Sequence, residues 1–148
     1  MKLQQLSLFL ENKPGQLKLP CRALAKAGIN ILTLSLADTQ QFGILRLIVK
    51  DWQGARKALE EAGCVVNATE VLALDVPDRP GGLADLLELL DKAKLDIEYM
   101  YAFTSGTRGR KAALIFRFAD PDAALKVLHK HEITVVGSEE LFARLAEK

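Results

Sequence analysis

The sequence feature that most constrains the fold is an internal repeat in which matched residues, from the first loop to the second strand of each copy, lie 66 positions apart. A shared offset over several positions indicates two copies of one structural unit. The chain has 148 residues, so we predict two domains, one at 1–69 and one at 70–148. The repeat pairs Pro14 with Pro80, Gly15 with Gly81, Leu17 with Leu83, Ala27 with Ala93, Asn30 with Asp96, and Ile31 with Ile97.

The first copy predicts the element order βαββαβ. Apolar residues alternate from Leu6 to Leu10, which is typical of a half-buried strand. A helical spacing follows the Pro-Gly loop and stops at Gly28; because of Pro20, the helix either begins near Lys18 or has a distorted first turn. The remaining elements are strands at 29–37 and 42–50 joined by a turn at 38–41, a helix capped by Asp51 and ended by Gly63, and a strand from Cys64.

The second copy repeats this order. After its hairpin the offset becomes 69 residues, so three residues are inserted in the loop 105–110. A tail helix from Ser138 to Ala146 has no counterpart in the first copy, and we expect it to cover a sheet edge or to extend a subunit contact. The other elements are a strand at 72–76, a loop at 78–82, a helix from Leu83, strands at 95–104 and 111–118, a helix with Asp120 as cap and Pro121 at its first position, and a strand at 133–136.

The alternation also predicts two different faces for each sheet. In the first copy the helices cover Leu6, Leu8, Leu32, Leu34, Leu45 and Leu47. The opposite face is also apolar, so we predict that it makes a protein contact, in which the sheets of two units or of two chains pack on one another. The alternative is that its residues are ordinary half-exposed strand positions. That face comprises Phe9, Ile31, Thr33, Ile44 and Ile48 around Arg46 in the first copy, and Val71, Ala73, Tyr99, Tyr101, Phe103, Ala113 and Ile115 in the second.

Composition and motifs exclude several classes of function. Twenty basic and nineteen acidic residues give a net charge of +1, which favours neither nucleic acid nor an anionic membrane. We find no secretory signal and no long apolar run, so we expect a cytoplasmic protein. Cys21 and Cys64 are predicted to be free buried thiols.

No catalytic motif is present, and the sequence gives no reason to expect a metal or a cofactor. His129 and His131 lie near a predicted helix end, where solvated side chains are expected. Alternation places Phe116 and Phe118 on the core side of their strand, which disfavours RNA binding. An acylphosphatase-like activity with Arg79 as phosphate anchor is a minor alternative, because no matching asparagine is present.

The two Pro-Gly loops are the candidate binding sites. Each joins a strand to a helix, where glycine allows close approach of N–H groups and the helix start supplies partial positive charge. An asparagine side chain both donates and accepts hydrogen bonds, and a zwitterion needs all three features. The alternative is a tight turn that Asn12 merely caps. The loops are Asn12-Lys13-Pro14-Gly15-Gln16-Leu17 and Asp78-Arg79-Pro80-Gly81-Gly82-Leu83.

The Asn-Lys-Pro-Gly-Gln-Leu loop, together with Gly28-Ile29-Asn30-Ile31 at the second strand, resembles the ACT domain, a regulatory module that binds small molecules. The resemblance covers two tandem copies, about 1–69 and 70–138, and implies an α+β fold of two ferredoxin-like units with antiparallel sheets and helices on one face. It implies an effector held between ACT units by Asn12 and Asn30. This chain has Leu10 where the family has a histidine, and Asp78 and Asp96 at the asparagine positions of the second copy.

The resemblance implies a stand-alone, non-catalytic regulatory protein that binds a free amino acid at the interface between ACT units. We expect a homodimer formed through sheet faces or edges, and a metabolic enzyme as a further partner. The alternative is a ligand-free interaction or dimerisation module that docks on such an enzyme. The candidate ligand-binding residues are 12–17, Asn30 and Ile31 in the first copy, and 78–83 and Asp96 in the second.

Overall fold

The computed structural model describes residues 1–38, 40–103 and 111–146. The chain divides into two units, one formed by Gln4–Thr69 and the other by Glu70–Lys148 with Met1–Leu3. Each unit has the order βαββαβ, which confirms the predicted fold class. The elements are β1 (Leu3–Glu11), α1 (Lys18–Lys26), β2 (Ile31–Asp38), β3 (Phe42–Val49), α2 (Trp52–Glu61), β4 (Val66–Pro77), α3 (Gly82–Lys92), β5 (Ile97–Phe103), β6 (Lys111–Phe118), α4 (Pro121–Lys130), β7 (Val135–Val136) and α5 (Ser138–Ala146).

In the first unit, β3 lies between β1 and β2 and is antiparallel to both. Strands β1 and β2 are therefore parallel to each other. Glu11 pairs with Phe42, and Asp38 pairs with Gly43, so β1 and β2 end at the same edge of the sheet. Ile31 pairs with the far end of β3, so β2 begins at the opposite edge.

Helices α1 and α2 cover one face of this sheet, as predicted. Leu24 of α1 and Leu59 of α2 belong to the same buried cluster as Leu6 and Leu47. Helix α1 begins at Lys18, which puts Pro20 in the first turn, where the missing N–H has no intrahelical acceptor to lose.

Strand β2 departs from the prediction because its pairing contains a bulge between Ile31 and Thr33. The bulge changes the alternation, so Ile31 packs against the core where Leu32 was expected. Leu34 and Leu36 do pair with core residues of β3, yet each is 49% exposed. Both lie on β2, the outermost strand on this side of the sheet.

In the second unit, β6 lies between β4 and β5, and β7 pairs with the other side of β4. Helices α3 and α4 pack on one face through Leu86, Leu90 and Leu128. Phe116 and Phe118 are buried in this core with ring centroids 5.6 Å apart, as the alternation predicted. Neither ring is available to stack on a nucleic-acid base.

The outer face of the second sheet is mostly, but not completely, buried. In the first unit the same face is uneven, because Ile48 is buried while Phe9 is 55% exposed. Tyr99 and Tyr101 are partly buried. The second-unit residues with at most 1% exposure are Val71, Ala73, Phe103, Ala113 and Ile115.

Helix α5 contacts this outer face through Arg144. Asp75 alternates with core residues of β4, so its carboxylate points away from α3 and α4. Arg144 of α5 donates two hydrogen bonds to that carboxylate, at 2.7 and 2.9 Å, and also contacts Glu140. These two carboxylates raise the pKa of Arg144 above its usual value. The fully buried Leu141 anchors the helix.

Local signals in the sequence are largely confirmed. The carboxylates of Asp51 and Asp120 accept hydrogen bonds from the N–H groups of Gly54 and Ala123, at 2.9 and 3.0 Å. The last strand is shorter than predicted, at Val135–Val136. The hairpin loop 105–110 and position 39 of the predicted turn lie outside the described residues.

The two cysteines are free, as predicted, but only partly buried. Burial raises the pKa of the Cys64 thiol, which keeps it protonated at neutral pH and unsuited to nucleophilic attack. His129 and His131 are exposed, as expected. Among the described helices, none is long and apolar enough to cross a membrane.

Candidate functional site

The two Pro-Gly loops share one backbone conformation. Gly15 has φ 88° and Gly81 has φ 86°, values that only glycine adopts without strain. The internal hydrogen bonds of the loops also match pair by pair. The backbone N–H of Lys13 donates to the Glu11 carbonyl oxygen at 2.8 Å, and that of Arg79 donates to the Pro77 carbonyl oxygen at 3.0 Å. The N–H of Gln16 donates to the Lys13 carbonyl oxygen at 3.3 Å, and that of Gly82 donates to the Arg79 carbonyl oxygen at 3.0 Å.

The helix that follows the first loop has an open N-terminus. Leu17 is its N-cap residue and makes no side-chain capping bond. The first turn contains no acidic residue and begins with Lys18. The first N–H groups of a helix lack intrahelical acceptors and carry partial positive charge. This helix start is therefore suited to an anionic group such as a carboxylate.

Asn12 begins the first loop with an exposed side chain. Its backbone N–H donates to the carbonyl oxygen of Gln41 at 3.1 Å, which ties the loop to the residue before β3. Lys13 forms a 3.0 Å ion pair with Glu11, but both side chains are mostly exposed, so the pair contributes little stability. The loop is held by its backbone, which leaves the Asn12 amide available.

Asn30 is exposed directly before β2 and lies far from Asn12 in the same unit. Asn12 follows the edge at which β1 and β2 end, and Asn30 precedes the edge at which β2 begins. The seven steps from Ile31 to Asp38 span about 23 Å at roughly 3.3 Å per residue. A single unit therefore does not bring the two asparagines together.

The first unit exposes four leucines, of which only Leu17 was among the predicted site residues. Leu17 and Leu19 lie at the start of α1, and Leu34 and Leu36 lie on β2. Leu17 belonged to the predicted loop, whereas Leu34 and Leu36 were expected in the core. The signal that identifies them is the edge position of β2, which the sequence does not give.

The second loop differs at its helix start. Asp85 stands in the first turn of α3, and its carboxylate forms a 2.6 Å ion pair with Arg79. The Arg79 guanidinium also donates to the Pro80 carbonyl oxygen at 3.0 Å. The cation of this loop and the positive end of its helix are thus already matched with a carboxylate of the protein.

The second loop is also tighter than the first. A methyl group at Gly82 would lie 2.1 Å from the Pro77 carbonyl oxygen, so only glycine fits where α3 begins. Leu83 is partly buried against the core of this unit. Asp78 and Asp96 are exposed carboxylates in the two positions that asparagine occupies in the first unit.

A shallow groove of about 600 Å³ lies between α3 and α4. Its lining combines apolar side chains with acidic and basic ones. Sequence reasoning did not identify it, because its residues come from two helices and form no motif. The lining residues are Asp85, Glu88, Leu89, Lys92, Ala93, Val127, Lys130 and His131. No cluster of three or more metal-binding side chains occurs in the described ranges.

Comparison with models of protein families matches the ACT domain pair over residues 1–145. Among solved structures, protein BT0572 from Bacteroides thetaiotaomicron is 37% identical, with 96% of each chain covered and a TM-score of 0.87. The ligand-free regulatory subunit of aspartate kinase from Thermus thermophilus is 20% identical, with 86% of this chain and 91% of that chain covered and a TM-score of 0.59, which shows similarity of fold alone. No curated protein matches.

Proposed function

Because the chain belongs to the ACT domain pair family, we propose that it is a regulatory protein that binds a free amino acid and catalyses no reaction. Domain pairs of this family are typical of regulatory modules that bind amino acids. The observation that carries the proposal is the first Pro-Gly loop, where an uncapped helix start follows an exposed asparagine.

The chemistry of this loop matches the two charged groups of an amino acid. The carboxylate is held by N–H groups at the start of α1, where no acidic side chain competes for them. The ammonium group donates to asparagine side-chain oxygens at an interface between ACT units: Asn12 belongs to this loop, and Asn30 contributes from another ACT unit, because a single unit does not bring the two together. Gly15 lets the ligand approach the backbone closely.

The second loop fits this ligand less well. Two exposed carboxylates, Asp78 and Asp96, repel the carboxylate of an amino acid, although they accept from its ammonium group. The Asp85 carboxylate already interacts with the positive end of α3 and with Arg79, where a ligand carboxylate would otherwise bind. We therefore place the amino acid on the first loop, and the second loop serves as a scaffold.

A stabilisation assay tests the proposal. A ligand at about one hundred times its Kd stabilises the folded state by about 2.7 kcal/mol, which is a clear rise in Tm. We expect one or a few amino acids at millimolar concentration to raise the Tm. Asn12→Ala and Asn30→Ala abolish the rise, and the control Asn67→Ala, at an exposed position of β4, retains it. If none of the twenty amino acids, nor branched or aromatic analogues, shifts the Tm, the proposal is wrong.

A second candidate is a ligand-free module that docks on a metabolic enzyme. The observation that favours it is the exposure of Phe9 and Phe42 on the outer face of the first sheet, at 55% and 48%. Substituting Asn12 and Asn30 by alanine separates the candidates. If the asparagine variants lose ligand binding and keep their assembly, the result supports amino-acid recognition. If the wild type binds no amino acid, and the Phe9→Ser variant differs from it in assembly, the result supports docking.

A further inference from the structure

We propose that the groove between α3 and α4 of the second unit is a docking site for an amphipathic helix of another protein, whose carboxylates meet the lysines of the groove. The inference goes beyond the proposed function, because it concerns the helices of the second unit and not the first loop. It holds whether or not the first loop binds an amino acid.

The groove has a shape that suits a helix. Its lining positions on α3 recur at i, i+3, i+4, i+7 and i+8 from Asp85 to Ala93, so they form one stripe along the helix. These eight steps span about 12 Å at roughly 1.5 Å per residue. Val127, Lys130 and His131 form a second stripe with the same spacing on α4. A third helix that lies between the two stripes contacts both of them.

The apolar and the charged side chains of the groove differ in burial. Leu89, Ala93 and Val127 are partly buried, and Leu89 packs against the core of the second unit. The charged lining residues are exposed. Buried apolar side chains together with exposed charged ones are typical of a protein–protein interface. The apolar residues supply the contact area, and the charged residues select the partner.

The chain itself does not neutralise the charges of the groove. Among the charged lining residues, only Asp85 forms an ion pair within the residues that the structure describes, and its partner is Arg79. The remaining acidic residue is Glu88, whereas Lys92 and Lys130 are both basic. Each helix contributes one of these lysines, so positive charge is present on both sides of the groove. A helix with carboxylates beside its apolar face complements this arrangement.

The first unit does not repeat this lining. The position that matches Val127 holds Ala58, and the position that matches Lys130 holds Glu61. Helices α1 and α2 contact each other. The distance between packed helices depends on the side chains at their contact, and small ones allow a close approach. The apolar side chain and the positive charge that α4 contributes to the groove are therefore specific to the second unit.

Two model peptides test the charge preference of the groove. Both are amphipathic helices with leucine at i, i+3, i+4 and i+7, and they differ only in whether glutamate or lysine flanks the leucines. We expect the full chain to bind the glutamate peptide at least about tenfold more tightly than the lysine peptide, because like charges disfavour the wrong partner. Fluorescence anisotropy at physiological ionic strength measures both affinities. A preference for the lysine peptide, or binding of neither peptide, overturns the inference.

Charge reversal locates the binding. The double variant Lys92→Glu, Lys130→Glu should lower the affinity for the glutamate peptide about tenfold and raise that for the lysine peptide. The control is Lys26→Glu, Lys126→Glu, which changes the net charge equally at two exposed positions outside the groove. Salt screens distant exposed charges, so the control should change neither affinity by more than about twofold. Equal effects of the two double variants would indicate non-specific attraction and contradict the inference.

A third variant tests the apolar part of the groove. Val127→Asp should abolish the binding of the glutamate peptide, and circular dichroism checks that the variant is folded. Two-dimensional NMR of the wild type provides a measurement that needs no variant. We expect the largest changes in amide chemical shift on α3 and α4 when the glutamate peptide is added. Changes confined to other elements would overturn the inference.

A small anionic molecule is the alternative occupant. Octanoate has a carboxylate and an apolar chain but cannot form a helix. If octanoate shifts the amide signals of α3 and α4 and the glutamate peptide does not, the groove binds small molecules and the inference is wrong. None of these results bears on the amino-acid site of the first loop, which the Tm assay tests separately.

Discussion

The two Pro-Gly loops have the same backbone and different chemistry. Their glycines share one left-handed conformation, and their internal hydrogen bonds match. The helix after the first loop opens without an acidic residue, while the helix after the second opens with Asp85 paired to Arg79. The comparison teaches that equal backbone geometry does not give equal electrostatics, because a carboxylate of the protein meets the helix start in the second loop and not in the first.

The largest expected effect concerns the fit of the second loop. Gly82→Ala forces a methyl group to within 2.1 Å of a carbonyl oxygen, so we expect a loss of about 3 kcal/mol in the free energy of unfolding. The matched change Gln16→Ala in the first loop is expected to cost less than about 0.5 kcal/mol. Urea denaturation of both variants measures the difference, and equal losses would mean that the loops are equally tight.

Helix α5 distinguishes the second unit from the first, and its ion pair is the next test. Arg144→Ala leaves the Asp75 carboxylate, which is only 5% exposed, without its two hydrogen bonds. We expect a loss of about 2 kcal/mol, because an unpaired carboxylate is costly in a buried position. The control is Arg56→Ala, which removes an exposed pair with Glu60 and should change the stability by less than about 0.5 kcal/mol. A cost no greater than that of the control would show that α5 is not held by this pair.

The third prediction transfers the acidic residue of the second loop to the first. Leu19→Asp places a carboxylate in the first turn of α1, at the position that Asp85 occupies in α3. We expect the protein to keep its stability, since an acid is favourable there, while the affinity for the amino acid falls about tenfold, or about 1.4 kcal/mol. Leu19→Asn is the neutral control. Unchanged affinity in Leu19→Asp would mean that the ligand carboxylate binds elsewhere.

The smallest expected effect compares how the helices end. Gly28 and Gly63 end α1 and α2 with positive φ, whereas Lys94 and Glu132 hold the matching positions after α3 and α4, both at φ 55°. Side chains are strained in this region, so Lys94→Gly should stabilise the protein by about 1 kcal/mol. The reverse change, Gly28→Lys, should destabilise it by a similar amount. Thermal melting measures both, and a decrease in Tm for Lys94→Gly would contradict the prediction.

Local signals in the sequence were sufficient for much of the fold. The limits 111–118 predicted for β6 match the strand Lys111–Phe118, and the caps at Asp51 and Asp120 form as expected. These features depend on neighbours in the sequence, such as an aspartate before a helix or a regular apolar alternation. The repeat strengthened each prediction, because the same order had to hold twice.

The features that were not predicted from the sequence depend on contacts between residues that are far apart in the chain. The apolar alternation predicted that Leu34 and Leu36 lie in the core, but β2 is an outermost strand of the sheet and both side chains are half-exposed. The bulge after Ile31 appears only in the pairing with β3. The pairing of Arg144 with Asp75 joins residues 69 positions apart and leaves no local signal. The ligand-binding role of the two loops stays a prediction.

Strand β4 connects the two copies of the repeat. It runs without a break for 12 residues, and its first four residues belong to one unit and its last eight to the other. Deleting one residue, such as Ala68, would turn Leu72 and Leu74 away from their helices, because side chains alternate along a strand. The predicted loop 105–110, by contrast, makes the second copy three residues longer than the first at this point. A change in the length of β4 at this junction therefore keeps Leu72 and Leu74 on the helix-covered face only if an even number of residues is added or removed. A loop between strands is not restricted in this way.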